Sequence, residues 1–224
     1  MYRYLKALPS FLVLILISGC ARYSIGYNIK PSTSLCSLSK TVAVELFSDE
    51  RPTEERKGLT NEFLSFSSMD SHFDKEVRVA ICELLSEELN SGGIKSFIIK
   101  DIDDLAEFDY ILRGKILHFQ TIIKPSKTTL VPYLGAVSTI WARDEFLTLV
   151  TIYAELLDRN NDSIFRKTFN ISEGIELKTG ILNVGRLSRG LNYKLKLLNI
   201  ALSDVLKQIK QDVLNNIKKD VRGS

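Results

Sequence analysis

The chain has 224 residues, of which 45% are hydrophobic and 25% are charged, and its formal net charge at pH 7 is +3. This is the composition of a globular protein, and it excludes a disordered chain and a multispanning membrane protein. The 30 basic and 27 acidic residues nearly balance, so charge gives no reason to expect nucleic acid as a partner.

The first twenty residues have the layout of an export signal. Arg3 and Lys6 give a basic start, and an unbroken apolar run over residues 11–17 is followed by two small residues and Cys20. The apolar run is shorter than the roughly 20 residues that a bilayer-spanning helix needs. We therefore predict a cleaved signal peptide over residues 1–19.

The end of this signal, Ile17-Ser18-Gly19-Cys20, resembles the bacterial lipobox. The resemblance implies that the Cys20 thiol takes a diacylglyceryl group, that the peptide is cut before it, and that the new amino terminus is acylated, for example with palmitate. The mature protein would then start at Cys20 and be held at a membrane by its acyl chains. The alternative is an ordinary signal peptide or signal anchor in which the cysteine occurs by chance.

Two other cysteines, Cys36 and Cys82, remain if Cys20 is lipidated. Because an exported chain enters an oxidising compartment, these two could form a disulfide. The alternative is that Cys82, which lies in an amphipathic helical pattern, is a small buried side chain. Two cysteines alone fix no geometry, so both alternatives stay open.

After the signal the sequence predicts a tether and one domain. Residues 20–39 are polar and rich in turn-forming residues, so we interpret them as a tether that holds the domain off the membrane. A single α/β domain is predicted over residues 40–220. Alternating apolar residues over 40–47 predict its first strand. The charge-dense stretch 48–58 is interpreted as a solvated loop, because its charges alternate in sign.

A helix and a second strand follow in the first half of the domain. Apolar residues at helical spacing predict a helix over residues 71–90, with Ser71 and Asp74 as a capping box. Residues 94–100 predict the next strand. The order strand, helix, strand indicates a crossover that joins two parallel strands of one sheet.

Three longer strands are predicted over residues 110–123, 146–158 and 163–173. The polar residues of the first change parity near Ile116-Leu117, which predicts a β-bulge there, with Gly114 easing the bend. The second and third are separated by strong turn residues and predict an antiparallel hairpin.

A link over residues 174–190 leads to a long amphipathic helix over residues 191–219. Its apolar side chains recur at steps of four and three, at Leu191, Leu195, Leu198, Leu202, Val205, Ile209 and Val213. This stripe predicts packing on the sheet, with a coiled coil or a partner-binding face as the alternative. The predicted fold class is α/β (α+β): a mixed sheet with one crossover helix and a long C-terminal amphipathic helix packed on it.

Motifs for catalysis, cofactors and metals are missing from the sequence. His72 and His118 are its two histidines, and neither has a second ligand at a spacing typical of metal sites. There is no nucleophile elbow, phosphate-binding loop or dinucleotide fingerprint. We therefore expect no enzyme activity, no cofactor and no metal, and the sequence does not indicate an oligomeric state.

One connection between predicted strands is unusual, because residues 130–141 are almost uncharged. They include Tyr133, Leu134, Val137, Ile140 and Trp141. Connecting segments normally run over the surface and are polar. One alternative is that the segment folds back on the core or includes a further strand. The other is that it forms an exposed apolar surface that contacts a membrane or a partner.

Several stretches between residues 41 and 172 form a familiar order after the lipobox. They are the strand Val42-Ala43-Val44, the sequence FSDERP, the helix end EELNSGG and the strand start FDYILRGKI. Together they resemble small envelope lipoproteins with an α/β domain like the TolB amino-terminal domain, including curli-secretion, penicillin-binding-protein-activator and YajG-like lipoproteins. The resemblance implies a non-enzymatic binding or assembly module whose partners are envelope proteins.

The residue after the lipobox cysteine bears on location. It is Ala21, whereas many enteric lipoproteins that stay in the inner membrane have aspartate there. The resemblance therefore implies delivery to the periplasmic side of the outer membrane.

A second resemblance implies an alternative function. The order of lipobox, strand, helix, a strand of the DYIL kind, hairpin and terminal helix is also similar to the auxiliary lipoproteins of lipid-trafficking ABC transporters. The opening of that family after the cysteine, Tyr-Tyr-x-Leu, is only faintly echoed by residues 23–27. This resemblance implies an auxiliary lipoprotein of an ABC-type lipid or solute transport system.

Overall fold

The computed structural model describes residues 24–27, 29, 38–57, 65–66, 73–99, 108–124, 143–178 and 187–223. The elements in these ranges are, in chain order, β1 (Leu38–Glu45), β2 (Ser48–Asp49), α1 (Thr53–Lys57), β3 (Ser65–Phe66), α2 (Val77–Ser91), β4 (Ile94–Ile99), β5 (Tyr110–Lys124), β6 (Arg143–Asp158), β7 (Ser163–Lys178) and α3 (Leu187–Gly223).

The strands form one mixed sheet, in the order β4-β1-β5-β6-β7, and the short strands β2 and β3 pair with β5. β1 runs parallel to both β4 and β5, whereas β6 is antiparallel to both of its neighbours. Because α2 lies between β1 and the parallel strand β4 in the chain, the predicted crossover is confirmed. The predicted fold class, α/β (α+β) with a mixed sheet, is confirmed as well.

The two long helices pack on the sheet and on each other. Alternate side chains of β5 and β6 meet the apolar stripes of α2 and α3 in one continuous core. The stripe of α3 is buried as expected, with at most 2% exposure at Leu198, Leu202, Val205, Ile209 and Val213. This confirms that the C-terminal helix packs on the sheet.

Strand β5 contains the predicted irregularity. Its register against β6 shifts between Ile116 and His118, which confirms the β-bulge. Gly114 has a different role from the one expected, because a Cβ at this position would lie 2.5 Å from ring atoms of the buried Phe47. The glycine therefore permits the close approach of a core ring to the backbone.

The start of α2 differs from the sequence prediction. The helix begins at Val77, and its N-cap position makes no side-chain capping hydrogen bond, so the capping box of Ser71 and Asp74 is wrong. Phe73 lies before the helix in an isolated β-bridge, and its ring centroid is 6.1 Å from that of Phe119. A core residue outside the helix thus continued the helical spacing by coincidence.

The predicted hairpin of β6 and β7 is confirmed. It turns at Asn161, whose φ of 64° is a left-handed conformation that asparagine tolerates. The strands are longer than predicted, because β7 continues to Lys178 and α3 begins at Leu187. The predicted link over 174–190 is therefore wrong at both ends; Gly174 pairs with Leu147 inside the sheet.

The charge-dense stretch 48–58 is only in part the solvated loop that was predicted, because residues 48, 50 and 52–54 are exposed but two charged residues are buried. It contains β2 and α1, and Arg51 and Glu55 are only 2% and 4% exposed. Arg51 donates to both carboxylate oxygens of Asp49, at 2.9 Å from Nε and 2.7 Å from Nη2. Charges that satisfy one another in this bidentate way can be buried.

Glu55 completes the hydrogen bonding of β5 at the bulge. Its carboxylate accepts the Phe119 N–H, and its Oε2 lies 3.2 Å from Nδ1 of His118. β2 pairs with β5 as far as Ile116, and β3 pairs with it from Thr121. The carboxylate of Glu55 therefore fills the gap that the two short strands leave along β5.

The bulge gives a first testable prediction. Glu55→Ala removes the carboxylate that accepts the buried Phe119 N–H and should lower the free energy of unfolding by about 1–3 kcal/mol. Glu55→Gln keeps a carbonyl oxygen at this place and should lower it much less. Urea denaturation of the two variants measures the difference, and an equal loss in both would contradict the role given to the carboxylate.

The parent chain and both variants should differ in the pH dependence of urea denaturation, because only the parent chain has a titratable group at position 55. Burial raises the pKa of Glu55 above its ordinary value of 4.5, so the folded state keeps a proton in a pH window where the unfolded chain has lost it. This contribution makes the free energy of unfolding fall as pH rises through that window. Glu55→Gln should remove this fall in the free energy of unfolding with rising pH.

Candidate functional site

Most residues that the sequence singled out lie outside the described part of the chain. They are Cys20, Cys36, His72 and the apolar connection with Tyr133, Leu134, Val137, Ile140 and Trp141. Lipidation, disulfide formation and contact of the apolar connection with a membrane or partner therefore stay predictions.

Cys82 is described, and it is a free, fully buried cysteine. Its Sγ accepts the Phe47 N–H at 3.4 Å, and burial raises the pKa of the thiol to about 12. A thiol with so little thiolate is unreactive at neutral pH. Cys82 is thus a small side chain of the core, as the alternative interpretation expected, and its disulfide with Cys36 stays untested.

Part of the predicted tether is packed on the domain. Ile25 is 7% exposed and belongs to the main core, and Tyr27 and Ile29 pack against the same core. This differs from the expectation that residues 20–39 hold the domain off the membrane. Apolar side chains at alternate positions were the available signal, and the surrounding turn residues obscured it.

A buried ion pair holds this segment against both long helices. Nζ of Lys210 in α3 lies 2.5 Å from Oε2 of Glu88 in α2. The side chain of Glu88 is 3% exposed and that of Lys210 is 18% exposed. The Tyr27 hydroxyl donates to Glu88 Oε1 at 3.2 Å. Burial and, to a smaller extent, the negative charge of Glu88 raise the pKa of Tyr27 well above its usual range. The hydroxyl therefore keeps its proton and continues to donate.

An open groove of about 590 Å³ lies beside Tyr27. It is bounded by Gly26 and Tyr27 on one side and on the other by one face of α3 over residues 195–207; we call it the α3 groove. Ile200 lines it and is 41% exposed. Exposed lysine side chains, Lys196 and Lys207, line it as well.

Asn199 gives the α3 groove an unusual polar atom. Its Oδ1 is buried and has no hydrogen-bond partner within the described ranges. An unpaired buried acceptor costs about 1–3 kcal/mol, and such atoms in native proteins usually find a donor on the protein, a water or a ligand. The groove therefore combines an exposed apolar side chain with exposed basic side chains, and the unpaired Asn199 Oδ1 lies buried at its edge.

A second polar cluster surrounds Asp109, just before β5. Its carboxylate accepts the Thr41 N–H at 2.9 Å and lies 3.1 Å from Lys40 Nζ and 3.0 Å from Arg159 Nη2. Burial alone would raise its pKa, but the hydrogen bonds from Thr41 and Lys40 hold the pKa of Asp109 below its usual range. The cluster ties the starts of β1 and β5 to the β6–β7 turn, which is a structural role.

The described residues contain neither a candidate metal site nor a membrane-spanning helix. No group of three histidine, cysteine or acidic side chains in those ranges could hold a metal ion. No helix among the elements given above is both long and apolar enough to cross a bilayer.

The buried ion pair gives a second prediction. Lys210→Met leaves the charge of Glu88 buried without its partner and should lower the free energy of unfolding by about 3–5 kcal/mol. Lys207→Met is the matched control on the same helix, because its 3.6 Å pair with Asp204 is solvent-exposed and should contribute less than about 1 kcal/mol. Urea denaturation compares them; similar losses would show that the pair does not hold the helices together.

No family model matches the chain, and no curated protein matches it in sequence. Solved structures do resemble it. A protein from Xanthomonas campestris that is assigned to the DUF330 family has a TM-score of 0.57 at 12% identity, over 89% of this chain and 98% of that one. At this identity the likeness shows the fold alone.

Two further structures are less similar, with TM-scores below 0.5. One is a homologue of the neuraminyllactose-binding hemagglutinin from Helicobacter pylori, with a TM-score of 0.43 and 13% identity over 89% of this chain and 91% of that one. The other is an uncharacterised lipoprotein B from Nitrosomonas europaea, with a TM-score of 0.40 and 13% identity over 87% and 96%. The matched structures thus include a bacterial lipoprotein, and the TolB-like or YajG-like assignment stays a prediction.

Proposed function

We propose that the protein is an envelope lipoprotein, anchored by acyl chains on Cys20, that binds another envelope component without catalysis. The observation that carries the proposal is the packing of Ile25, Tyr27 and Ile29 on the core of the domain. Ile25 is five residues after Cys20, so at most about 18 Å of extended chain joins the anchor to the domain.

This short connection supports a binding role at the membrane. A single acyl chain gives marginal membrane affinity, at about 0.8 kcal/mol per buried CH₂, whereas several chains hold a protein stably. A domain held so close to its anchor stays next to the same surface. Its partner is then an envelope component that is present at that surface.

The chemistry of the described side chains supports binding over catalysis. The carboxylates of Asp109 and Glu55 are occupied by backbone N–H groups and by basic or histidine side chains. The α3 groove instead offers accessible apolar and basic groups beside Gly26 and Tyr27. We propose this groove as the binding surface.

The anchor is tested by replacing the lipidated cysteine. Cys20→Ala should abolish incorporation of an alkyne-labelled fatty acid and leave the precursor uncut by lipoprotein signal peptidase. Cys36→Ala is the matched control and should be labelled and processed like the parent chain. Continued labelling of the Cys20→Ala chain would overturn the anchor.

The binding surface is tested with a photo-crosslinking amino acid in the lipidated chain in cells. At Lys196, in the α3 groove, it should form adducts with an envelope component. At Lys219, an exposed position about 35 Å further along the same helix, it should not. The absence of adducts at Lys196, or equal adducts at both positions, would contradict the proposed surface.

A further inference from the structure

The length of chain between Cys20 and the domain limits which face can meet the membrane. Gly26 lines the α3 groove and is six residues after Cys20, so at most about 22 Å of extended chain separates them. A domain of this size is about 40 Å across. An acylated Cys20 could therefore not reach around the domain, which favours an orientation with the groove side towards the leaflet.

The surface of that side suits a membrane interface. Ile200 and Val221 are the exposed large hydrophobic side chains of the described ranges, at 41% and 47%. Ile200 lies in the α3 groove, with Lys196 one turn before it on α3 and Lys207 two turns after it. An apolar side chain flanked by lysines suits contact of this part of the surface with lipid headgroups.

The charges of the groove favour an anionic surface by a small margin. Lys196 and Lys207 are opposed by Asp204, which is 3.6 Å from Lys207, so the charged side chains that line the groove sum to one positive charge. A weak attraction suffices here, because a short tether gives the second contact a high effective concentration.

We propose that the α3 groove rests on the phospholipid headgroups, including anionic ones, of the leaflet that holds the acyl chains of Cys20. This inference rests on the proposed lipid anchor and names the occupant of the proposed binding surface. A protein partner would have to be recruited to the groove, whereas the leaflet is within reach of the tether at all times. The rest of the domain then projects away from the membrane.

The test uses the full lipidated chain in vesicles of phosphatidylethanolamine and phosphatidylglycerol. Ile200→Cys and Val221→Cys, each in a Cys36→Ser background, are labelled with an environment-sensitive fluorophore; the buried Cys82 stays unlabelled. Val221 is the matched control, because it is an exposed apolar residue about 31 Å further along the same helix.

Doxyl-labelled lipid should quench at least about half of the fluorescence at position 200, shift its emission to the blue, and leave position 221 unchanged. Replacing phosphatidylglycerol by phosphatidylcholine should reduce the quenching. No quenching at position 200, or equal quenching at both positions, overturns the inference.

Failure of the inference is distinguishable from failure of the proposed function. If the chain floats with the vesicles without quenching at position 200, and the crosslinker at Lys196 captures an envelope protein, the inference is overturned and the proposed function stands. If the chain does not float with the vesicles, the proposed lipid anchor is wrong, and both the inference and the proposed function are overturned.

Discussion

The ion pair between Glu88 and Lys210 is the interaction on which the arrangement of the two long helices and of the segment around Tyr27 depends. It joins the crossover helix to the C-terminal helix, and Tyr27 donates to the same carboxylate. A charge buried without its partner is strongly unfavourable, so the arrangement is complete only when both helices are in place. Three parts of the chain that are far apart in sequence are thereby fixed to one another, and the position of the α3 groove follows from this contact.

Elements with a strong, regular period could be predicted from the sequence. The stripe of α3, the β6–β7 hairpin and the bulge in β5 all follow from spacing, because burial on one face imposes a period on the chain. The wrong predictions arise where a contact between residues far apart in sequence determines the local structure. Phe73 continues the helical spacing but packs against Phe119 from outside the helix. Gly114 is needed because a ring from another segment, that of Phe47, approaches its backbone.

The candidate site was less predictable than the fold. Glu88 is the exception, since a charged residue in the apolar stripe of a helix indicates a buried partner. Arg51 and Glu55 lie in a stretch whose alternating charges are typical of solvated loops, and only the structure shows that they are buried. The α3 groove is formed by segments about 170 residues apart, and no local pattern describes such a surface. The likeness to the DUF330 structure extends to the fold and leaves the partner open.

The dependence of the Tyr27 contact on Lys210 also orders events in time. Lys210 follows Tyr27 by 183 residues. The place that receives Tyr27 is therefore incomplete until the chain as far as Lys210 has become available to fold. Docking of the segment around Tyr27 is thus a late step of folding. For the proposed lipoprotein, acylation and cleavage at Cys20 would then come before docking, so maturation and folding would not compete for the same stretch of chain.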